Sequence, residues 1–186
     1  MNGTLLNPRQ VPDKLGFLTL EGLQEIYDEV AYLGLTLTAV KSPDILSEPI
    51  LKFFKGRNFA FISTVNKDGS PQVTPTWIDI DEEYGLIIIN TAVGRLKQRN
   101  LSRDPRVSIS MIDAKDNPYS MVTIKGKVIE QTKNEADEHI DKLARKYLNT
   151  DSYPAHSPHV TRIIIKIKPE KISYLPPRYT EYLKKD

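Results

Sequence analysis

A basic segment that follows an apolar run contains the residue types best suited to holding an anion. This segment, Asn90–Arg106, has Gly94 near its start and a helical pattern after it. Four cationic side chains follow the glycine: Arg95, Lys97, Arg99 and Arg103. The spacing predicts a short helix that begins near Thr91 and Gly94. Helix starts offer free amides and a partial positive charge to anions, and an Arg and a Lys within one turn suit a phosphate. An ordinary solvated basic face is the alternative interpretation.

A second polar feature lies on the predicted strand 71–80. Alternate residues of a strand share a face, so one face would carry an amide and two hydroxyls, from Gln72, Thr74 and Thr76. The opposite face would carry Val73, Pro75 and Trp77. A row of amide and hydroxyl groups suits a flat heterocycle with carbonyl and imino edges. Side chains that simply face water are the alternative.

Composition excludes several kinds of chemistry. The 186 residues contain no cysteine, which rules out disulfides, thiol catalysis, cysteine-ligated zinc and iron–sulfur clusters. A net charge of +2 disfavours nucleic acid as the main ligand. The three histidines, His139, His156 and His159, show no metal-ligand spacing. We therefore expect no metal, and no nucleophile elbow or nucleotide-binding glycine motif is present.

The chain length and hydropathy predict one main domain without a membrane segment. No apolar run approaches the roughly 18–20 residues that a membrane helix needs. The N-terminal residues do not show the pattern of a signal peptide. A cytoplasmic location is therefore the expectation, with an N-terminal extension at 1–42, a main domain at 43–178 and a short tail at 179–186.

Periodicity predicts a mainly β protein. Short turns connect most strands, which favours an antiparallel barrel of Greek-key type with peripheral helices over a doubly wound parallel sheet. Helices are predicted from Thr19, from Ser42 to Gly56, after Gly94, and after 132–135. The six predicted strands are 59–65, 71–80, 86–90, 106–112, 119–129 and 162–168.

Local signals refine these elements. Asp68 before Gly69 predicts a hairpin turn, and Pro75 inside a strand predicts an edge, a bulge or a rim position. Gly126 inside another strand predicts a bulge or a close backbone approach. The hydroxyl and carboxylate of Thr132 and Glu135 have the spacing of a capping box.

Three segments together resemble a known family. They are Phe61–Pro75, Gly94–Ser108 and Val122–Val128, and the similarity runs from about Leu46 to Pro176. In this order and spacing they resemble the pyridoxamine 5′-phosphate oxidase-like split-barrel superfamily, which binds flavins and deazaflavins. The second segment is most similar to the branch that uses the deazaflavin coenzyme F420. No convincing C-terminal pyridoxal-phosphate-binding motif accompanies them, which argues against oxidation of pyridoxamine phosphate itself.

The resemblance implies a six-stranded antiparallel split β-barrel that forms a homodimer with cofactor sites at the subunit interface. It implies that the strand around Gln72, Val73 and Thr74 lines the cofactor ring. It implies that the ribityl chain and phosphate are held by Asn90, Thr91, Arg95 and Lys97. Supporting positions would be Arg99 and Asn100, with Tyr119 near a position where an aromatic from the other subunit covers the ring.

The leading hypothesis is therefore an oxidoreductase that binds coenzyme F420 and transfers hydride to or from a small organic substrate. The chemistry would reside in the cofactor, so no catalytic side chain is assigned. Extra positive charge for the carboxylate-rich tail of F420 could come from Arg99, Arg103 and Arg106. FMN is the alternative cofactor. A non-catalytic protein that binds flavin or haem-like ligands, and a basic nucleic-acid module, are the competing classes.

Overall fold

The structure, a computed structural model, describes residues 44–113, 115 and 117–176, except for the side chains of 117–119. The predicted helix from Thr19, the extension 1–42 and the tail 179–186 lie outside the described residues. The helices are α1 (Glu48–Lys55), α2 (Leu96–Arg103) and α3 (Ala136–Leu148). The strands are β1 (Ala60–Val65), β2 (Pro71–Thr76), β3 (Asp79–Asp81), β4 (Leu86–Ala92), β5 (Arg106–Asp113), β6 (Asn117–Thr132) and β7 (Arg162–Leu175).

All seven described strands form one antiparallel sheet in the order β2-β1-β5-β6-β7-β4-β3. The prediction of a mainly β, antiparallel protein is confirmed. Two details were wrong: the strand count is seven rather than six, and the sheet is not closed into a barrel. Because β2 and β3 are joined by two residues yet lie at opposite edges, the sheet curls until its edges approach there.

The extra strand arises because the predicted strand 71–80 breaks at Trp77 and Ile78. The backbone groups of Ile78 bond to side chains of α3 instead of a neighbouring strand. Its N–H donates to the Tyr147 hydroxyl at 3.2 Å, and its carbonyl accepts from Lys146 Nζ at 3.0 Å. Trp77 also stacks on Tyr147, with ring centroids 5.1 Å apart. These contacts end the pairing of β2 with β1 at one edge of the sheet. The chain then continues as β3, which pairs with β4 at the opposite edge.

The core lies inside the curl of the sheet. Ile62, Ile109, Ile124 and Ile165 are almost fully buried there and belong to one apolar cluster. Burying such side chains stabilises the fold by roughly 1.5–3 kcal/mol each. On α1, Phe53 and Phe54 pack into the same cluster, with Ile45, Ile50 and Leu51 beside them.

Helix α1 begins later than predicted. Ser42 and Pro43, the predicted start, lie outside the described residues. The helix begins at Glu48, with Ser47 as its N-cap and a proline in its first turn. Asp44 and Ser47 form a turn first, because Ser47 N–H donates to the Asp44 carbonyl at 3.0 Å. Gly56 ends the helix, as predicted.

Two of the predicted turn and edge features are confirmed. Gly69 has φ +85° in the turn between β1 and β2, a conformation that favours glycine. Pro75 lies on β2, an edge strand, where its missing N–H leaves no ladder bond unmade. The capping box was wrong, because Thr132 Oγ1 accepts instead from Asn134 N–H at 3.1 Å and Glu135 is a left-handed N-cap.

The long β6–β7 ladder confirms the prediction for Gly126. The register shifts there, and a Cβ on Gly126 would lie 2.5 Å from the Lys168 carbonyl oxygen. The same irregularity accommodates Pro169, which pairs with Gly126. β7 therefore continues to Leu175, beyond the predicted end at 168.

Candidate functional site

The basic segment divides between a strand and a helix. Asn90 and Thr91 belong to β4, so the prediction that the helix starts near Thr91 was wrong. Gly94, with φ +84°, reverses the chain, and α2 begins at Leu96 with Arg95 as its N-cap. No acidic residue occupies the first turn of α2. The first amides of a helix have no intrahelical acceptor, so the start of α2 is electropositive.

Asn100 fixes α2 on the sheet. Its side-chain Nδ2 donates to Thr64 Oγ1 at 3.1 Å and to Asn66 Oδ1 at 2.9 Å. Its Oδ1 accepts from Arg103 at 3.2 Å. Asn100 is 1% exposed. It therefore docks the helix on β1, and it does so next to Gln72, which pairs with Thr64.

The structure adds Arg162, which the sequence did not single out, to the basic segment. Arg162 opens β7 and pairs with Ala92, at the end of β4. Its Nε donates to Asn90 Oδ1 at 2.8 Å. The ring of Tyr153, from the loop that precedes β7, lies 5.1 Å from the guanidinium carbon, a cation–π contact.

Three cations converge at this point. Burial lowers the pKa of the Lys97 ammonium, and the charges of Arg95 and Arg162 lower it further. Burial also lowers the pKa of Arg162; Tyr153 and Asp137 oppose this shift and Arg95 adds to it. We call Arg95, Lys97 and Arg162 the basic cluster. Within the described part of the chain, none of the three forms a salt bridge.

The charged tips of Lys97 and Arg162 are accessible although their stems are buried, and Arg95 is exposed. Lys97 is 7% exposed and Arg162 is 6% exposed. Among the described residues, the fully enclosed side-chain polar atoms without a hydrogen bond are Thr91 Oγ1 and His139 Nε2. The Lys97 and Arg162 tips are not among them, so they reach the surface. This arrangement places positive charge at the protein surface, where an anion could bind it.

The predicted ring-binding residues divide between the two faces of β2. Gln72 and Thr74 are half-buried and share the inward face with Thr64, whereas Val73 is 52% exposed on the outward face. Gln72 Nε2 donates to the carbonyl of Val73 at 3.0 Å. The amide and hydroxyl row predicted from the alternation therefore exists on the inward face.

A separate cleft lies on the exposed side of α2. It has a volume of about 580 Å³ between the helix and the β1–β2 turn, and its lining residues are Asn66, Lys67, Asp68, Leu96, Arg99, Asn100 and Arg103. The one carboxylate in this lining accepts hydrogen bonds from the backbone and side chain of Ser70. The cleft is thus positively charged, and it contains Arg99 but not Arg95 or Lys97.

The predicted site residues are only partly brought together. Asn90 and Thr91 point to opposite faces of β4, because Asn90 bonds to Arg162 and to α3, whereas Thr91 is fully buried on the side of the core isoleucines. The Tyr119 side chain lies outside the described residues. The sequence analysis did not identify Arg162 or Tyr153 as site residues. The one signal available was that Arg162 is a charged residue at the start of an apolar strand.

A group of acidic and basic side chains connects β3 to α3, next to the basic cluster. Asp79 Oδ2 lies 3.4 Å from His139 Nε2 and 2.5 Å from Lys142 Nζ. Burial alone would raise the pKa of the Asp79 carboxyl, but the contact with His139 and the hydrogen bond from Lys142 outweigh it and lower the pKa to about 2. Asp79 therefore stays ionised and fixes two side chains of α3.

We expect Asp79→Asn to lower stability by about 2 kcal/mol at neutral pH, because lowering a pKa by one unit stabilises the folded state by roughly 1.4 kcal/mol. A lowered folded-state pKa contributes stability above the unfolded value of 3.8, and this is lost as the pH falls towards 2. Urea unfolding of both proteins from pH 7 to pH 3 measures the difference, which should shrink below pH 4. Exposed Asp151→Asn is the control, and a difference that does not change with pH would contradict the assignment.

No group of three or more His, Asp or Glu side chains among the described residues could hold a metal ion. None of the helices in the described ranges is long and apolar enough to cross a membrane.

The fold is shared with solved structures. A protein described as an F420 reductase is 28% identical, with 66% of this chain and 94% of that chain aligned at a TM-score of 0.57. A conserved hypothetical protein of Mycobacterium tuberculosis is 26% identical over 71% of this chain and 86% of that one, with a TM-score of 0.54. General stress protein 26 of Bacillus anthracis, at 17% identity, covers 72% and 96% with a TM-score of 0.53, which shows the fold alone.

A family model for pyridoxamine 5′-phosphate oxidase matches residues 46–176. This range spans all seven strands, α2 and the whole basic cluster. Because most of the chain, including its candidate site, falls within the matched range, the chain belongs to the pyridoxamine 5′-phosphate oxidase family of flavin-binding split-barrel proteins.

Proposed function

We propose that this protein is an oxidoreductase that binds a phosphate-bearing, flavin-type cofactor and transfers hydride to or from a small organic substrate. The observation that carries the proposal is the basic cluster. Two of its cations are more than nine-tenths buried, yet no carboxylate in the described residues lies within salt-bridge distance of them. Partly desolvated cations that repel one another and have no carboxylate partner are costly, and a phosphate bound at their accessible tips would offset that cost.

The donors present suit a phosphate group. Arg95, Lys97 and Arg162 supply three positive charges, and the first turn of α2 supplies amides without intrahelical acceptors. A phosphate dianion has several oxygens and accepts from donors that approach from different directions. Chloride or a single carboxylate would satisfy fewer of them, so the set favours a phosphate ester.

The inward face of β2 is the proposed place for the cofactor ring. Gln72 lies beside Thr64, and Thr64 bonds to Asn100 of α2, so this face adjoins the helix that carries Lys97. When bound, the cofactor would supply hydride transfer at its ring. The side chains of this protein would bind the phosphate, orient the ring and place donors at its polar edge.

The homodimer remains a proposal, and an exposed apolar face supports it. Five large apolar side chains point outward from β2, β1, β5, β6 and β7, each 38–52% exposed: Phe61, Val73, Ile112, Met121 and Leu175. Strand pairing places them on one face, since Ile112 pairs with Met121 and Met121 with Leu175. Contiguous exposed apolar patches mark interaction sites. We call these five residues the apolar face.

Two observations favour F420 over FMN. The relative described as an F420 reductase aligns over 94% of its length at 28% identity. The cleft beside Arg99 and Arg103 also offers positive charge close to the basic cluster, where a carboxylate-rich tail could extend. FMN, which has no such tail, is the alternative cofactor.

The proposal is tested by titrating F420 and FMN into the purified protein and following fluorescence. We expect saturable binding of at least one cofactor, with F420 tighter. Arg95→Ala/Lys97→Ala should weaken binding by about 100-fold or more, because each charge-assisted hydrogen bond contributes roughly 1.5–3 kcal/mol. Lys55→Ala/Arg57→Ala removes the same two kinds of charge from an exposed region and should leave the affinity unchanged.

Unchanged affinity of the Arg95→Ala/Lys97→Ala variant would contradict the phosphate assignment. Turnover is tested separately, by following the absorbance of the reduced cofactor with candidate acceptors. Tight binding without turnover of any acceptor or donor would favour the non-catalytic flavin-binding alternative.

A further inference from the structure

We infer that Asn90 is a positioning residue rather than a ligand contact. Together with Tyr153, it fixes the guanidinium of Arg162 so that both Nη atoms bind two oxygens of one oxyanion. The inference rests on the proposed phosphate site, and it concerns how that site is built rather than which cofactor occupies it. The family resemblance implies instead that Asn90 itself holds the ribityl chain and phosphate of the cofactor.

Every polar atom of the Asn90 side chain is directed at the protein. Oδ1 accepts from Arg162 Nε at 2.8 Å, and Nδ2 donates to the Ala136 carbonyl at 2.6 Å. Nδ2 also lies 3.4 Å from His139 Nδ1. The residue is 5% exposed. Rotating the amide by 180° would set a donor against Arg162 Nε and an oxygen against a carbonyl, so only one orientation satisfies all its neighbours.

His139 holds this amide orientation from the other side. Because Asn90 Nδ2 is a donor, His139 Nδ1 must act as the acceptor, which leaves Nε2 as the ring nitrogen that carries a proton. Nε2 faces Asp79 Oδ2 at 3.4 Å, and Asp79 is fixed in turn by Lys142. A chain of contacts therefore fixes Arg162: Asp79 of β3 contacts His139 of α3, His139 contacts Asn90 of β4, and Asn90 bonds to Arg162.

Tyr153 covers one face of the same guanidinium at 5.1 Å. Its backbone N–H donates to Asp141 Oδ1 at 2.7 Å, and His156 Nε2 lies 2.7 Å from the same oxygen, which anchors the loop on α3. Because Arg162 Nε bonds to Asn90 and Tyr153 covers one face of the guanidinium, the Nη1–Nη2 edge is the part left to bind an anion. Among the described residues no acceptor bonds to either Nη atom, and both reach the surface.

This geometry predicts selectivity for anions with two adjacent oxygens. An arginine presents two parallel N–H groups that match a phosphate or carboxylate, whereas a lysine provides a point charge. Arg162→Lys should therefore weaken the affinity for inorganic phosphate by about tenfold although the charge is kept. Chloride, a single-atom anion, should bind the two proteins within about twofold of each other.

The experiment is a double-mutant cycle with inorganic phosphate as the probe, measured by calorimetry on the full chain. We expect Asn90→Ala to weaken phosphate binding by about tenfold in the wild-type background and by less than about twofold in the Arg162→Gln background. Its effect on the melting temperature should persist in both backgrounds. Asn58→Ala is the control, because it removes another partly buried amide, whose Nδ2 donates to the Phe53 carbonyl, and should not change phosphate affinity.

Equal weakening by Asn90→Ala in both backgrounds would show that Asn90 acts independently of Arg162 and would overturn the inference. So would unchanged phosphate affinity of Arg162→Lys, a measurement that does not require the Asn90 variant to fold. Wild-type protein that binds no phosphate would overturn it as well. Phosphate binding with the expected coupling, but no binding of F420 or FMN, would support the inference and reject the proposed function.

Discussion

Replacing Lys97 by methionine and Arg162 by glutamine together is expected to abolish cofactor binding at micromolar concentrations. The same variant should stabilise the cofactor-free protein. Loss of two charge-assisted hydrogen bonds corresponds to roughly 3–6 kcal/mol, or a 10²- to 10⁴-fold weaker affinity. The stabilisation follows because both stems are almost fully buried and their charges repel each other. Replacing these two largely buried, mutually repelling cations by neutral side chains should raise the free energy of unfolding of the cofactor-free protein by about 1 kcal/mol or more.

Cofactor titration and urea unfolding of the same preparations measure the two effects. Lys55→Met/Arg57→Gln is the matched control, because it makes the same chemical changes at two exposed positions. Within the described residues, the ion pair at these positions, from Lys55 to Glu82 at 3.3 Å, is solvent-exposed, and such pairs contribute little. A destabilised Lys97/Arg162 variant that retains its cofactor affinity would show that these cations serve the fold rather than an anion.

Phe61→Asp is expected to convert the proposed dimer into a monomer. Phe61 lies in the apolar face, 44% exposed in the single chain, with Val73, Met121 and the other members on the same side of the sheet. Burying an unpaired carboxylate against a second apolar face costs several kcal/mol, which corresponds to an increase of about 100-fold or more in the dimer dissociation constant. Light scattering after size exclusion reports the mass directly.

Tyr84→Asp is the control for the dimer test. Tyr84 is another exposed aromatic, 68% accessible, but it lies in the turn between β3 and β4, away from the apolar face. Its replacement should leave the mass unchanged. A wild-type protein that is monomeric at every concentration, or a Phe61→Asp variant that remains dimeric, would contradict the proposed interface.

Features encoded in short stretches could be predicted from the sequence. The alternation of β5, the Asp68–Gly69 turn and the Pro75 edge position depend on near neighbours, and the structure confirms them. The bulge at Gly126 was predicted because a glycine inside an apolar strand signals a close backbone approach. The sequence also predicted that Arg95 and Lys97 lie close together, because both fall within one turn of a helix start.

Contacts between distant residues could not be predicted in this way. The break at Ile78 depends on Lys146 and Tyr147, which are 68 and 69 residues away along the chain. Without α3 in place, nothing in 71–80 distinguishes one long strand from two short ones at opposite edges of a sheet. The count of six strands was wrong for this reason.

For the candidate site, the sequence by itself determined that a helix start rich in positive charge follows an apolar strand and adjoins a strand with a polar face. Only the tertiary structure decided which cations are buried and what surrounds them. Asn90 and Arg162 are 72 residues apart and meet because β4 pairs with β7. Because of that pairing, we infer that Asn90, which was predicted to contact the cofactor, instead positions Arg162. No local sequence pattern marks Arg162 as a site residue. The residue type determines the charge at a position, whereas the packing of the whole domain determines how far that charge is buried.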